Sequence, residues 1–313
     1  MDRRGLEFSF VWIFVILVGA VFIFLSIYAA GRFIDSERQI QNTQIGKSLG
    51  SLLNPISANI EEGKLSKISI SSNSRIMNVC NSDEDAFGYQ GLSVSVSERE
   101  DFSSQGITNV IKDRYVFSEE YIEGKDFIVF SKPFEMPFKI GELIYMWSAE
   151  KNYCFFDPPS QIEEELESLN VENIGFDEEC QKDSVSVCFQ SSGCDIDVSL
   201  GIGDEIKGNV KKKFSDFVYF EGETLLYAAI FSDSKIYECQ LKRLTGRASQ
   251  LSNVYNLKAN LVGIKGCNTG LEDELTVYYN LTSSIKSSSD LAAVFFASEK
   301  IKEVNDGLSC NLF

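Results

Sequence analysis

Histidine is absent from this chain of 313 residues. Histidine is the side chain that most often acts as a general base at neutral pH, and it is a common zinc ligand. Without it, serine and cysteine nucleophiles lose their usual partner. Neither a glycine-rich phosphate loop nor a Cys-x-x-Cys redox motif occurs in the sequence. The sequence therefore predicts a protein that is not an enzyme and that uses no cofactor or metal.

Positive charge is scarce as well. Lys and Arg number 29 against 46 Asp and Glu, which gives a formal net charge of −17. Nucleic acids and anionic lipid head groups are bound by clustered positive charge, so this composition argues against both as partners. The apolar fraction of 44%, with 24 Phe and 12 Tyr, is sufficient for a folded core.

The longest apolar run lies close to the N-terminus. Residues 8–31 contain no charged side chain, and Arg32 is the first that follows. About 20 apolar residues are needed for a helix to cross a bilayer. The run predicts a transmembrane helix at 8–31 that contacts membrane lipid, preceded by a cytoplasmic tail or leader at 1–7. A cleaved secretory signal, cut near Ala29-Ala30-Gly31, is the alternative, although its apolar core is usually only about 7–15 residues long.

The charges that flank this run predict its orientation. Arg3 and Arg4 precede it, whereas the charges that follow it nearly cancel. By the positive-inside rule, the N-terminus stays in the cytoplasm and the large domain is extracellular, in a single-pass protein of the cell membrane. A glycosylation sequon at Asn280-Leu281-Thr282 is consistent with this topology and makes Asn280 a candidate modification site.

All the cysteines follow the apolar run. An even number of cysteines in an exported domain predicts disulfides rather than free thiols. Cys188 with Cys194, and Cys267 with Cys310, are the two pairings that the spacing suggests, and the other pairings stay open. The eight disulfide candidates are Cys80, Cys154, Cys180, Cys188, Cys194, Cys239, Cys267 and Cys310.

Hydrophobic periodicity divides the rest of the chain. Steps of three and four residues after the apolar run predict an amphipathic helical stalk at 32–56, continuous with the membrane helix and ended by Asn54-Pro55. Alternating and β-branched runs predict a β-rich extracellular region at 57–204, and renewed helical periodicity predicts a helical C-terminal region at 205–313. The predicted fold class is α+β.

Three local predictions within these regions are specific enough to test. The runs at 185–189 and 196–200 are interpreted as a hairpin, and a helix is predicted at 160–169 with Ser160 as its N-cap. The acidic stretch Asn81-Ser-Asp-Glu-Asp85 spaces oxygen ligands as calcium loops do. It has Ala86 where such a loop needs glycine, so it is interpreted as a solvated turn.

The extreme N-terminus resembles a known leader. Arg3-Arg4-Gly5 followed at once by an apolar helix resembles the leader of type IV pilin-like proteins, including the archaeal class III signal group. The resemblance implies a peptidase cut after Gly5, which leaves Leu6 as the first residue, and an apolar helix that packs into a filament core. Those families carry a glutamate at the fifth mature position, whereas Glu7 would be the second. The whole chain is also similar to single-span surface proteins of archaea.

These features together favour a membrane-anchored, disulfide-braced structural or interaction protein of the cell surface, with a pilin-like subunit as its sharpest form. Protein partners or self-association are expected. The alternative is an extracellular binding or accessory subunit of a membrane complex, and an anchored enzyme is the least favoured interpretation.

Overall fold

The computed structural model describes residues 10–53, 65–82, 88–98, 101–102, 105–112, 114–177, 180–203, 206–213, 215–267, 269–308 and 310–313. The fold class is α+β, as the sequence predicts. The helices are α1 (Phe10–Leu52), α2 (Ser160–Ser168), α3 (Glu223–Phe231), α4 (Ser234–Ile264), α5 (Glu272–Ser284) and α6 (Leu291–Asp306), and a 3-10 turn at Ser288–Asp290 precedes α6.

Two sheets form the centre of the domain. Their strands are β1 (Leu65–Asn81), β2 (Tyr89–Glu98), β3 (Asp101–Phe102), β4 (Asn109–Ile111), β5 (Tyr115–Phe117), β6 (Tyr121–Glu135), β7 (Lys139–Ser148), β8 (Tyr153–Phe156), β9 (Ile174–Phe176), β10 (Val185–Phe189), β11 (Ile196–Leu200), β12 (Lys207–Lys212) and β13 (Val218–Glu221). The first sheet has the strand order β3-β2-β1-β6-β7-β5, and β4 also pairs with β2. The second sheet has the order β13-β12-β11-β10-β8-β9.

The main hydrophobic core lies between one face of the first sheet, the second sheet and the C-terminal helices. Alternate residues of β6 and β7 point into it, as the two-residue period of a strand requires. Trp147 of β7 stacks on Phe231 of α3 with ring centroids 4.5 Å apart, and Tyr153 of β8 meets the same ring edge-on. Helix α3, with residues 225–231 all buried, thus joins the two sheets.

The opposite face of the first sheet carries a second, smaller core. Leu49 and Leu53, at the end of α1, pack there on Leu92 and Val94 of β2 and their neighbours. The Arg114 guanidinium donates a hydrogen bond to the Leu53 carbonyl. The predicted stalk is therefore only partly free-standing, because its residues 42–53 are docked on the sheet; residues 54–56 lie outside the described part of the chain.

The rest of α1 is exposed. The helix is continuous over 43 residues, about 65 Å at 1.5 Å per residue. Its apolar portion has a mean hydropathy of 3.0 and none of it is buried against the domain. This portion is long and apolar enough to cross a membrane, in agreement with the prediction for 8–31; residues 8 and 9 are outside the described ranges.

Close backbone contact holds α1 to the domain, and it depends on Gly106. A Cβ atom on Gly106 would lie 2.6 Å from the backbone of Asn42 and Thr43. We expect Gly106→Ala to lower the free energy of unfolding by about 2 kcal/mol and to speed hydrogen exchange at residues 42–53, because α1 must move away. Hydrogen-exchange mass spectrometry with urea unfolding checks this.

Gly50→Ala is the matched control for this contact. Its Cβ would meet only the end of the Asn109 side chain, at 1.7 Å from Nδ2, and that amide can rotate away. We expect a clearly smaller loss. Equal exchange rates in both variants and the wild type would contradict the docked arrangement.

Two local predictions are wrong. Strands β10 and β11 pair in parallel, with Cys188 beside Asp197, and do not form a hairpin. The reason is Asp195, whose Oδ2 accepts hydrogen bonds from the Ser186 backbone and hydroxyl at 3.0 and 2.8 Å and so returns the chain to the start of β10. Ser160 is the first residue of α2 rather than its N-cap, which is Pro159.

The C-terminal region begins with strands before it becomes helical. Strands β12 and β13 follow the predicted division near residue 205, and β12 pairs antiparallel with β11 across it. Helices follow from Glu223 onward. The domain division itself stays a prediction.

Candidate functional site

The structure joins all eight cysteines in four disulfides, as their even number predicts. Two are the pairs that the spacing suggests, Cys188–Cys194 and Cys267–Cys310. Cys154–Cys180 ties β8 to the segment after β9. The fourth, Cys80–Cys239, joins β1 to α4 across a sequence separation of 159 residues. Disulfides of this kind are typical of proteins in an oxidising compartment.

The other predicted positions have different outcomes. Asn280 lies exposed on α5, whereas Thr282 of the same sequon is buried and donates its hydroxyl to the Tyr278 carbonyl at 2.8 Å. Glycosylation there stays a prediction. Gly5 and Leu6, and the acidic residues 83–85, lie outside the described residues.

A charged cleft is one of the concave sites in the described part of the chain. It has a volume of about 510 Å³ and lies where the start of α4 meets β12 and the loop that precedes β6. Its walls carry carboxylates and lysines in equal number: Glu119, Glu120, Asp195, Asp233, Lys151, Lys212, Lys213 and Lys235.

Four of these eight charged side chains form ion pairs with each other. Lys151 pairs with Glu119, and Lys213 Nζ lies 2.8 Å from Asp195 Oδ1. The hydrogen bond from Lys213, together with those from Ser186, lowers the pKa of Asp195 to about 2. Asp233 Oδ2 accepts a hydrogen bond from the Glu120 backbone at 2.6 Å. The cleft therefore stabilises the junction of three elements.

Lys212 has the most perturbed environment in the cleft. Its Nζ donates to the carbonyl oxygens of Ile230 and Ser232, at 2.7 and 2.5 Å, at the C-terminal end of α3. Burial lowers the pKa of Lys212 from 10.5 to about 8; nearby Asp233 and Glu119 oppose this, and Lys151 adds to it. Because its protons point at helix carbonyls, which carry the negative end of the helix dipole, Lys212 serves as a C-terminal cap of α3.

The lowered pKa of Lys212 predicts a pH effect on stability. The unfolded chain binds more protons than the folded one between pH 8 and 10.5, so stability rises with pH in that window. We expect the free energy of unfolding to increase by about 1.5 kcal/mol between pH 8 and 9.5. The buried tyrosines, such as Tyr237, whose pKa is raised by burial, oppose this only at higher pH.

Urea unfolding at pH 8.0, 8.5, 9.0 and 9.5 measures this effect. Lys212→Met should abolish the increase, whereas Lys211→Met, which removes an exposed lysine of the same strand, should retain it. A flat profile in the wild type would rule out the lowered pKa of Lys212.

A buried polar network beside the Cys80–Cys239 bond was not predicted from the sequence. Gln90 Nε2 donates to Asn78 Oδ1 at 2.6 Å and to the Val116 carbonyl at 2.7 Å, and Gln240 of α4 reaches the same carbonyl at 3.2 Å. All three polar side chains are fully buried. The only local signal in the sequence was a polar residue at a strand position that faces inward. Such a residue cannot be told from one that faces solvent until the element that packs against it is known.

Comparisons with protein-family models, with curated proteins and with solved structures found no match to this chain. Its class rests on its own architecture: an α+β domain, braced by four disulfides, on one long apolar N-terminal helix. These features are compatible with a membrane-anchored surface protein.

Proposed function

We propose that this chain is a single-pass surface protein that holds an interaction domain at a defined distance from the cell membrane. The N-terminus faces the cytoplasm and the domain lies outside. The proposal rests on a difference in exposure along α1. Its apolar portion is exposed, whereas its last three turns are docked on the first sheet.

The docked end gives the domain a defined position relative to the helix. Asn42 is buried, and the Thr43 hydroxyl accepts a hydrogen bond from the Ile107 backbone at 3.0 Å. The Arg114 guanidinium donates a hydrogen bond to the Leu53 carbonyl. A rigid junction of this kind positions the domain without the swing that a flexible linker allows. Such positioning suits protein contacts made at the surface.

Membrane fractionation of cells that produce the full chain tests the anchor. We expect the protein to stay in the membrane after alkaline carbonate treatment and its domain to be cleaved by protease added to intact cells. Val18→Arg with Phe22→Arg should release it, since each arginine costs about 3 kcal/mol at the centre of a span. Recovery of a soluble chain that begins after Gly31 would overturn the proposal.

A pilin-like subunit is the sharper form of this proposal. It is favoured because the exposed apolar portion of α1 continues straight into a docked segment, so identical helices can pack side by side while the domains stay outside. Mass spectrometry of the mature N-terminus tests it. Leu6 as the first residue and filaments in electron micrographs support a pilin-like pathway, whereas retained Met1 and discrete particles favour the accessory-subunit alternative.

A further inference from the structure

A second groove adjoins the charged cleft and shares Ser215, Ser234 and Lys235 with it. This lysine groove, defined by Lys211, Lys235, Lys242 and Lys286 with Phe217 at its side, has a volume of about 770 Å³. It is built from the end of β12, the first turns of α4 and the segment before the 3-10 turn.

The lysine groove differs in charge from the rest of this acidic chain. Lys132, Lys139, Lys151, Lys213 and Lys300 each form an ion pair with a carboxylate. In the part of the chain that the structure describes, none of the four groove lysines forms an ion pair with a carboxylate. Two carboxylates, Asp216 and Glu238, also line the groove. Ser288 donates hydrogen bonds to both carboxylate oxygens of Glu238, from its backbone N–H at 2.8 Å and from its hydroxyl at 2.5 Å.

The groove also exposes an aromatic ring. Phe217, which lies between β12 and β13, is 51% exposed. Lys211 Nζ lies 5.0 Å from the centroid of this ring. Because the ammonium group lies over one face of the exposed ring, the opposite face is available for apolar contact.

We infer that the lysine groove binds an acidic polypeptide segment that carries an apolar side chain among its carboxylates. Lysine ammonium groups are flexible point charges, whereas planar, directional recognition of phosphate or sugar uses arginine and amide side chains, which this groove lacks. Flexible Asp and Glu side chains fit four such charges, and Phe217 takes the apolar residue. The inference deepens the proposed function by naming its class of partner.

Fluorescence polarisation with the full chain in detergent micelles tests this inference. The probe is a fluorescein-labelled decapeptide of glutamates with one central phenylalanine. Binding should weaken as NaCl is raised, since exposed charge contacts are screened. Lys235→Glu with Lys242→Glu should weaken it about 30-fold, and Phe217→Ser should weaken it without changing the salt dependence.

Lys265→Glu with Lys302→Glu is the matched control, because it makes the same charge change at exposed lysines outside the groove. It should leave binding within about twofold of the wild type. An equal loss in both double variants would overturn the site, since binding would then follow net charge. Tighter binding of an oligouronate than of the peptide would overturn the class of partner. Membrane anchoring is measured separately, so its failure is distinguishable from either outcome.

Discussion

Replacing Cys80 and Cys239 by serine is expected to lower the free energy of unfolding by about 5 kcal/mol, according to the chain-entropy treatment of disulfides. This bond closes the longest covalent loop of the domain, with a sequence separation of 159 residues. It joins β1 of the first sheet to α4, so the opened chain gains freedom across both sheets. Urea unfolding of the oxidised protein, monitored by near-ultraviolet circular dichroism, measures the change.

Cys188→Ser with Cys194→Ser is the control for loop length. That pair is separated by only 6 residues, and the same treatment gives about 2 kcal/mol. Losses of the same size from the two bonds would show that loop closure is not the source of the stabilisation. Neither variant changes the side chains of the buried network of Asn78, Gln90 and Gln240, which keeps the comparison on the covalent bond.

Replacing Lys132 by methionine is expected to destabilise the domain by about 3 kcal/mol. The Lys132 ammonium lies between the carboxylates of Glu165 on α2 and Glu223 on α3, and only 13% of the Lys132 side chain is exposed. Tyr227 donates a hydrogen bond to Glu165 Oε2 at 2.6 Å. Methionine keeps the volume but leaves two partly buried carboxylates without their cation.

Two further variants isolate the charge effect. Adding Glu165→Gln to Lys132→Met should restore about half of the loss, because one carboxylate no longer lacks a partner. Lys300→Met breaks a more exposed pair with Glu274, in which 52% of the lysine is accessible, and should cost no more than about 0.5 kcal/mol. No rescue in the double variant would mean that packing, not charge, sets the loss. Thermal and urea unfolding at pH 7 measure all three.

The elements with a strong local period were predictable. Helix α1 follows from an unbroken apolar run continued by three- and four-residue steps, and β6 and β7 follow from β-branched and aromatic runs. The short strands β8, β12 and β13 were not, because β12 has only one apolar residue, Val210, and β8 and β13 have only 4 residues each. The parallel pairing of β10 and β11 was mispredicted, since a short connection normally indicates a hairpin.

The site was less predictable than the fold. The seven lysines of the charged cleft and the lysine groove come from distant segments, including Lys151, Lys212, Lys242 and Lys286. Each one alone is indistinguishable in sequence from a solvated surface residue. The overall charge of −17 even points away from any anionic partner, because composition averages over a surface whose charges are distributed unevenly.

The sequence by itself determined the properties that depend on local composition and period: one apolar helix long enough to span a bilayer, a lack of histidine chemistry, an α+β class and an even set of cysteines. Only the tertiary structure decided which cysteines pair across 159 residues, that residues 42–53 dock on a sheet, and where the lysines gather. Those properties depend on contacts between segments that are far apart in the chain. Folding brings these segments together in the core, and the local sequence pattern of each segment contains no information about its partner.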